Sequence, residues 1–269
     1  MTTSASILSS LYRQRGLVAV LVERELKARY RGTFLGFFWS LLNPLLLLAV
    51  YTVIFTYIIP ARVPSRVPYP LFLFAGLLPW LFASGSLLDS AVILPDNGPL
   101  LRKVVCSPEV FPTVVVVSHF VHHLLALPVL LVALAVVAVV QGIAFPWTVV
   151  LLPLVLAIWV AAVAGLALAV AALAVHFRDL KDLLHNALTL VFFMTPIVYA
   201  RELVPEGVLR RAVTANPVTP LITIYRSVVV EGVVPAASYW GWSLVVAGCC
   251  LGLGAFVFSR LRDTLSETV

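Results

Sequence analysis

Several stretches of this chain run for about 20 or more residues with almost nothing but apolar side chains, the length that crosses about 30 Å of hydrocarbon. One of them contains LLVALAVVAVV at Leu130–Val140. In lipid a backbone must satisfy its own hydrogen bonds, which leaves α-helices or a closed β-barrel. Barrel strands alternate apolar and polar residues, and these runs do not alternate, so the expected fold is all-α and membrane-spanning. Composition points the same way. Hydrophobic residues make up 62% of the 269 positions and charged residues 11%, against about 25% charged in soluble domains. Mean hydropathy is +1.07.

Six spans are expected, at about Leu35–Ile59, Leu71–Leu94, within Phe111–Val140, within Phe145–Val175, at about Leu183–Tyr199 and at about Trp240–Phe258. They form one transmembrane domain over 1–269, with a polar, basic segment at 1–34, the spans at 35–258 and a tail at 259–269. The first apolar run begins only after Arg31, so no cleaved leader is expected. Before it, Val18, Leu21, Val22 and Leu26 fall on one side of a helix, opposite Glu23, Arg24, Lys27 and Arg31. That amphipathic pattern predicts a helix lying in the headgroup region. The run Pro220–Val230 is too short to span and reads as a re-entrant or interfacial helix before the last span.

Charge sets the expected orientation. Arg13, Arg15, Arg24, Lys27, Arg29, Arg31, Arg102, Lys103, Arg178, Lys181, Arg260 and Arg262 fall on one side of the six-span arrangement, and Arg62, Arg66, Arg201, Arg210, Arg211 and Arg226 on the other. The richer side is expected to be cytoplasmic and to hold both termini. This bias accounts for the net charge of +6 without nucleic acid, for which no motif is present.

Ionisable groups are scarce inside the spans. Asp89 is the one acid well within a span, and it is expected to cap or pair locally. His119, His122 and His123 share a helix face at i, i+3, i+4 spacing, but no Cys, Asp or Glu stands near them in sequence to complete a metal site. They are expected to pack or to bond near headgroups. Ion-coupled carriers place acids and histidines at the midplane, so the driving energy is expected to come from elsewhere. The chain has no phosphate-binding lysine loop, nucleophile elbow or HExxH, and no catalytic residue is expected. Gly248 and Gly252 have the GxxxG spacing that lets helices approach closely, a pattern that also arises by chance.

A set of landmarks in order along the chain resembles the membrane subunit of ABC-2 type exporters of polysaccharides, O-antigen and teichoic acids. They are RELKARYRGTFLGFFWSLLNPLLLLAVYTVIF (Arg24–Phe55), YPLFLFAGLLPWLFASGSL (Tyr69–Leu87), NGPLLRKVVCSPEVFP (Asn97–Pro112), HFRDLKDL (His176–Leu183), TPIVY (Thr195–Tyr199) and NPVTPLITIYRSVVVEGVVP (Asn216–Pro235). The pair Cys106–Ser107 departs from the family's more usual Phe-Pro. The resemblance implies a homodimer in a bacterial cell (inner) membrane, two cytoplasmic ABC ATPase subunits that hold ATP and Mg, and a lipid-linked glycan as cargo. It implies no cofactor in this chain.

The same resemblance distributes roles. Leu100, Leu101, Val104 and Val105 form a small apolar patch beside Arg102 and Lys103, suited to a protein contact; Leu100, Leu101, Arg102, Lys103 and Val104, with Arg178 and Asp179, are the expected ATPase coupling residues. Arg24, Lys27, Arg29 and Arg31 are expected to anchor at anionic headgroups and to gather the pyrophosphate of a lipid-linked glycan near the entrance. Sugars bind to flat apolar faces with hydrogen-bonding edges. Trp39, Asn43, Tyr51 and Phe55 in the first span, with Phe192, Phe193 and Tyr199 in the fifth, are the expected channel lining. Asn216, Pro217 and Arg226 are expected to shape the outer exit.

Overall fold

The computed structural model describes residues 4–30, 32, 35–58, 63–98 and 107–268, and the elements it forms there are all helical. Two helices, α1 (Ser4–Arg13) and α2 (Arg15–Tyr30), precede α3 (Trp39–Val53), which runs on as a π-turn over Ile54–Ile58. Next come α4 (Tyr69–Asp96), α5 (Val110–Gln141), and α6 (Leu152–Ala174), entered through a 3₁₀ turn at Trp147–Leu151. The chain closes with α7 (Leu180–Met194), α8 (Val208–Ala215), α9 (Val218–Arg226), which runs on as a π-turn over Ser227–Glu231, and α10 (Ala237–Thr268). Among the described residues, five helical stretches are long and apolar enough to cross a membrane: Trp39–Ile58, Tyr69–Asp96, Val110–Gln141, Trp147–Ala174 and Ala237–Arg262. They coincide with five of the expected spans.

The middle of the bundle is α4. Its residues Leu71 to Trp80 are all buried, with α5, α6, α7 and α9 packed around them. The closest packing is between α6 and α10. A Cβ on Gly165 would enter the α10 backbone at Cys250, and one on Gly254 would strike the Gly165 carbonyl. Two backbones can meet this closely only where neither carries a side chain. Gly248 and Gly252, whose spacing also arises by chance, take no part in this contact: both are exposed, with open space beside their Cα atoms.

Helix ends sort into two groups. Leu94, Phe111, Leu168, Ala171, Ala172 and Phe258 pack together, which gathers the end of α4, the start of α5 and the ends of α6 and α10. Val22 of α2 packs there too, against Val110 and Val114. At this end, called basic below, α2 lays its predicted apolar face of Val18, Leu21, Val22 and Leu26 on α5. The face meets protein, where the sequence pointed to headgroups. At the other end Arg66 donates to the carbonyls of Glu231 (3.1 Å) and Ala144 (2.6 Å), and the Tyr69 hydroxyl donates to the Val198 carbonyl at 2.6 Å.

The fifth expected span is shorter than the sequence suggested. α7 stops at Met194, giving 15 residues. Pro196 forces the preceding residue out of the helical region, and Thr195 is extended, at φ −96°, ψ 137°. The last helix is longer than expected. α10 continues past Phe258 to Thr268, so the expected tail at 259–269 is mostly helix.

Candidate functional site

Three groups of side chains gather the expected channel residues, and each lies against α4. The first is a groove of about 300 Å³ between α4 and α7. Leu77, Trp80, Ser84 and Leu88 face His185, Leu188, Thr189 and Phe192 across it. α7 starts next to the end of α6, at the end of the bundle where α4 finishes, and its late residue Phe192 meets the earlier Trp80, so α7 runs antiparallel to α4. The rings of Trp80 and Phe192 are 5.7 Å apart, and Phe193 meets Phe192 edge-on at 5.1 Å. No residue of α7 is buried, and its His185, Asn186 and Thr189 are exposed. Bare polar groups facing hydrocarbon are costly, so this face suits a wet passage or a protein neighbour. The sequence reading included Phe192 and Phe193 but not Trp80, because a Trp in an apolar run gives no sign of which side it faces.

The second group is a ladder of rings at the end opposite the basic end. Tyr51 and Phe55 of α3 lie 6.2 Å apart, Phe55 meets Tyr69 edge-on at 4.7 Å, and Tyr69 lies 6.2 Å from Phe72. The ladder ends at Arg226, whose guanidinium carbon is 3.7 Å from the Phe72 ring centre. Arg226 is 5% exposed and donates to the carbonyls of Pro196 (2.8 Å) and Ile197 (2.9 Å). Asn216 accepts from the Val218 N–H at 2.9 Å across Pro217 and donates to the Thr195 hydroxyl at 2.8 Å. Asn216 and Arg226 thus fix the fold of the segment between α7 and α10 from within. Tyr199 donates back to the Phe193 carbonyl at 3.0 Å.

The third group surrounds a cavity of about 310 Å³ between α3, α4 and α5. Ser40 and Asn43 of α3 line it, with Phe74 and Phe82 of α4 and all three clustered histidines of α5. His119 Nε2 lies 2.7 Å from Asp89 Oδ2. Gly85, one turn before Asp89, makes room for that ring: a Cβ there would stand 2.6 Å from the His119 imidazole. Asp89 does pair, as expected, but with a histidine 30 residues away. A lone sequence offers no signal for such a pairing. His123 behaves as a packed core residue. It is buried, with Nδ1 3.3 Å from the Leu78 carbonyl oxygen and Nε2 3.4 Å from the Tyr225 hydroxyl. Trp39, half-buried, starts α3 outside this lining.

At the basic end, Arg24 and Lys27 are exposed on α2. Lys27 is paired with Glu23, and that hydrogen bond holds the Glu23 carboxyl below its ordinary range. The side chain of Arg29 and the whole of Arg31 lie outside the described residues, as do Leu100, Leu101, Arg102, Lys103 and Val104. Arg178 and Asp179 are exposed in the turn between α6 and α7. Just beyond the 99–106 segment, Ser107 bonds to Ser10 and Gln14, each at 2.9 Å. Glu109, with no exposed surface, faces Arg262 at 3.6 Å.

Long apolar helices packed around α4 define a multi-pass membrane protein. The profile of the ABC-2 type transporter family matches residues 16–230, and this chain belongs to that family. It is 37% identical over 268 residues, 98% of this chain and 99% of the relative, to the O-antigen export system permease protein RfbA of Myxococcus xanthus. Two proteins of that name from Klebsiella pneumoniae are 30% and 28% identical, each over 93% of this chain and 94% of the relative.

Proposed function

We propose that this chain is the membrane-spanning subunit of an ATP-driven exporter that carries a lipid-linked polysaccharide of the O-antigen kind from the cytoplasm across a bacterial inner membrane. The observation that carries this reading is the end-to-end likeness to a permease named for O-antigen export. The groove fits such a cargo: Trp80 and Phe192 offer flat apolar faces, and Ser84, Thr189 and His185 offer hydrogen-bonding edges.

In this reading the basic end is cytoplasmic, because Arg24, Lys27, Arg178, Lys181 and Arg262 belong to it. Six crossings follow if α7 completes its passage with the extended residues after Met194. Two features support that. α7 starts at the basic end beside the end of α6, and the residues that follow it meet Tyr69 and Arg226 at the other end. The segment with α8 and α9 is then re-entrant from outside, and Trp240–Phe258 within α10 returns to the cytoplasm.

The exposed faces of α3 and α7 would close around a conduit with those of a second copy, with Trp39, Asn43, Tyr51, Phe55, Phe192, Phe193 and Tyr199 near it. Two cytoplasmic ATPase subunits, holding ATP and Mg, would dock at Leu100–Val104 and at Arg178–Asp179. Arg24, Lys27, Arg29 and Arg31 would gather the pyrophosphate at the entrance, since Arg grips phosphate with two donors. The test is deletion of the gene in its host and complementation. Surface polysaccharide should vanish, with lipid-linked glycan building up inside, and the intact gene should restore it. Unchanged surface polysaccharide in the deletion strain would end the proposal.

A further inference from the structure

At the basic end, the N-terminal helices and the start of α5 meet on one residue, Ser107. Ser10, buried on α1, donates to the Ser107 hydroxyl at 2.9 Å. Gln14, one turn further, holds the same residue twice. Its Nε2 donates to that hydroxyl at 2.9 Å, and its Oε1 accepts from the Ser107 N–H at 3.3 Å. A backbone N–H only donates, so the carboxamide oxygen must face it, and the Nε2 then falls on the hydroxyl. Gln14 stands at the joint of α1 and α2: its own N–H donates to the Ser10 carbonyl at 2.9 Å, and its carbonyl accepts from the Val18 N–H at 3.0 Å. The Ser107 carbonyl accepts from the Val110 N–H at 3.0 Å and so opens the first turn of α5. Every polar group of Ser107 is thus engaged, on one side with the α1–α2 joint and on the other with α5.

These bonds do what the apolar contact beside them does not. α2 lies on α5 through Val22, Val110 and Val114. Apolar burial is non-directional, so it holds the helices together without fixing how far along α5 the N-terminal pair sits. Hydrogen bonds have preferred lengths and angles, and three of them on one residue set that register. The residue they hold is the one at which the chain passes from the 99–106 segment into α5. Two residues on, Glu109 faces Arg262 of α10 at 3.6 Å, so the first and last helices are both tied to this turn. Resting on the exporter reading, which docks an ATPase at Leu100–Val104, we infer that Gln14 and Ser10 are positioning residues for energy coupling. They bind the α1–α2 joint to Ser107, so that a push from the ATPase on the 99–106 segment shifts α5 and α2 as one body. α2 carries Arg24 and Lys27 on its exposed side. The same bonds therefore link ATP use to the residues that would gather the pyrophosphate.

The test compares Gln14→Leu, Gln14→Glu and Ser10→Ala with the wild type, each as the full chain with its partner ATPase in inverted membrane vesicles of the glycan-producing host. Leu keeps the helix preference of Gln but neither polar group. Glu keeps the acceptor for the Ser107 N–H, and the Ser107 hydroxyl can turn to donate to its second oxygen. ATP hydrolysis is measured beside the lipid-linked glycan that becomes protected from added glycosidase, together with the amount of ATPase bound. Gln14→Leu is expected to raise the ATP hydrolysed per glycan protected by roughly threefold or more, the scale of one lost hydrogen bond, with the ATPase still bound. Ser10→Ala should give a smaller rise, and Gln14→Glu should keep the wild-type ratio. A wild-type ratio in Gln14→Leu overturns the inference whatever the stability of the variant, because bonds that only hold the fold together change the amount of active complex and not the ratio. An equal rise in Gln14→Glu also overturns it. In both cases the exporter reading stands. If Gln14→Leu fails to assemble, Ser10→Ala takes its place with the same outcomes. Wild-type vesicles that protect no glycan overturn the exporter reading and this inference with it.

Discussion

Arg226 lies against the face of Phe72, its guanidinium carbon 3.7 Å from the ring centre, while two of its nitrogens hold the carbonyls of Pro196 and Ile197. Gly76, one turn beyond Phe72, leaves the space: a Cβ there would stand 2.5 Å from an Arg226 nitrogen. One side chain thus ties the turn after α7 to the start of α4. Lys has one point charge where Arg has a planar fork, so Arg226→Lys is expected to lose at least one carbonyl contact and the ring stacking. Hydrogen bonds to charged groups contribute about 1.5–3 kcal/mol each. The Lys variant should lose about 2 kcal/mol or more, read as a lower unfolding temperature in detergent and as faster proteolysis within residues 195–207. Equal stability of the two proteins would sink this account.

The α6–α10 contact makes a paired prediction. Gly254→Val places a branched side chain onto the Gly165 carbonyl, whereas Gly248→Val points into open space. Overpacking of this kind costs typically about 1–3 kcal/mol, occasionally more, and here the obstacle is backbone, which cannot rotate away. Gly254→Val should fail to give a monodisperse peak in size-exclusion chromatography. Gly248→Val should fold normally, and a similar loss from both would show that the contact is wrongly assigned.

These particular residues also show how far the sequence could be read. Five spans were legible from apolar run length, because lipid leaves few alternatives. α7 was overextended because Thr195, Ile197, Val198 and Tyr199 are apolar enough to prolong the run, and the helix breaker is the single residue Pro196. The GxxxG spacing pointed to Gly248 and Gly252, yet the contact uses Gly165 and Gly254, since spacing along one helix says nothing about which face meets a neighbour. The aromatic residues expected to line a channel were legible as types but not as neighbours. Asp89 and His119, or Trp80 and Phe192, meet only through tertiary packing, which one sequence does not encode in any local pattern.

The groove predicts a graded effect on export. Aromatic contacts contribute about 0.5–1.5 kcal/mol beyond area burial, and 1.4 kcal/mol corresponds to tenfold. Trp80→Ala and Phe192→Ala should each lower surface polysaccharide formation by roughly 3- to 10-fold with subunit assembly intact. Leu166→Ala, on an exposed face of α6 away from the groove, serves as the control. Wild-type export from both aromatic variants would remove the groove from the path.

Glu109 and Arg262 give the sharpest asymmetry. Among the described residues, the carboxylate has no exposed surface and no hydrogen bond to either oxygen; its ion-pair partner there is Arg262, 3.6 Å away. It also sits at the positive end of the α5 dipole, which favours its charge. Removing Arg262 leaves a buried charge uncompensated, a loss of about 3–5 kcal/mol in comparable pairs. Removing the charge of Glu109 leaves a partly exposed Arg that water can serve, and the pair's desolvation cost goes with it. Arg262→Gln should therefore destabilise far more than Glu109→Gln, and the double variant should recover most of the loss, as read by thermal unfolding of the four proteins in one cycle. The ion pair joins the start of α5, just after the 99–106 segment, to the end of α10. If that link carries motion from a docked ATPase, Glu109→Gln should also raise ATP turnover per polysaccharide exported. A double variant no more stable than Arg262→Gln would mean that burial of the carboxylate is not what makes Arg262 necessary.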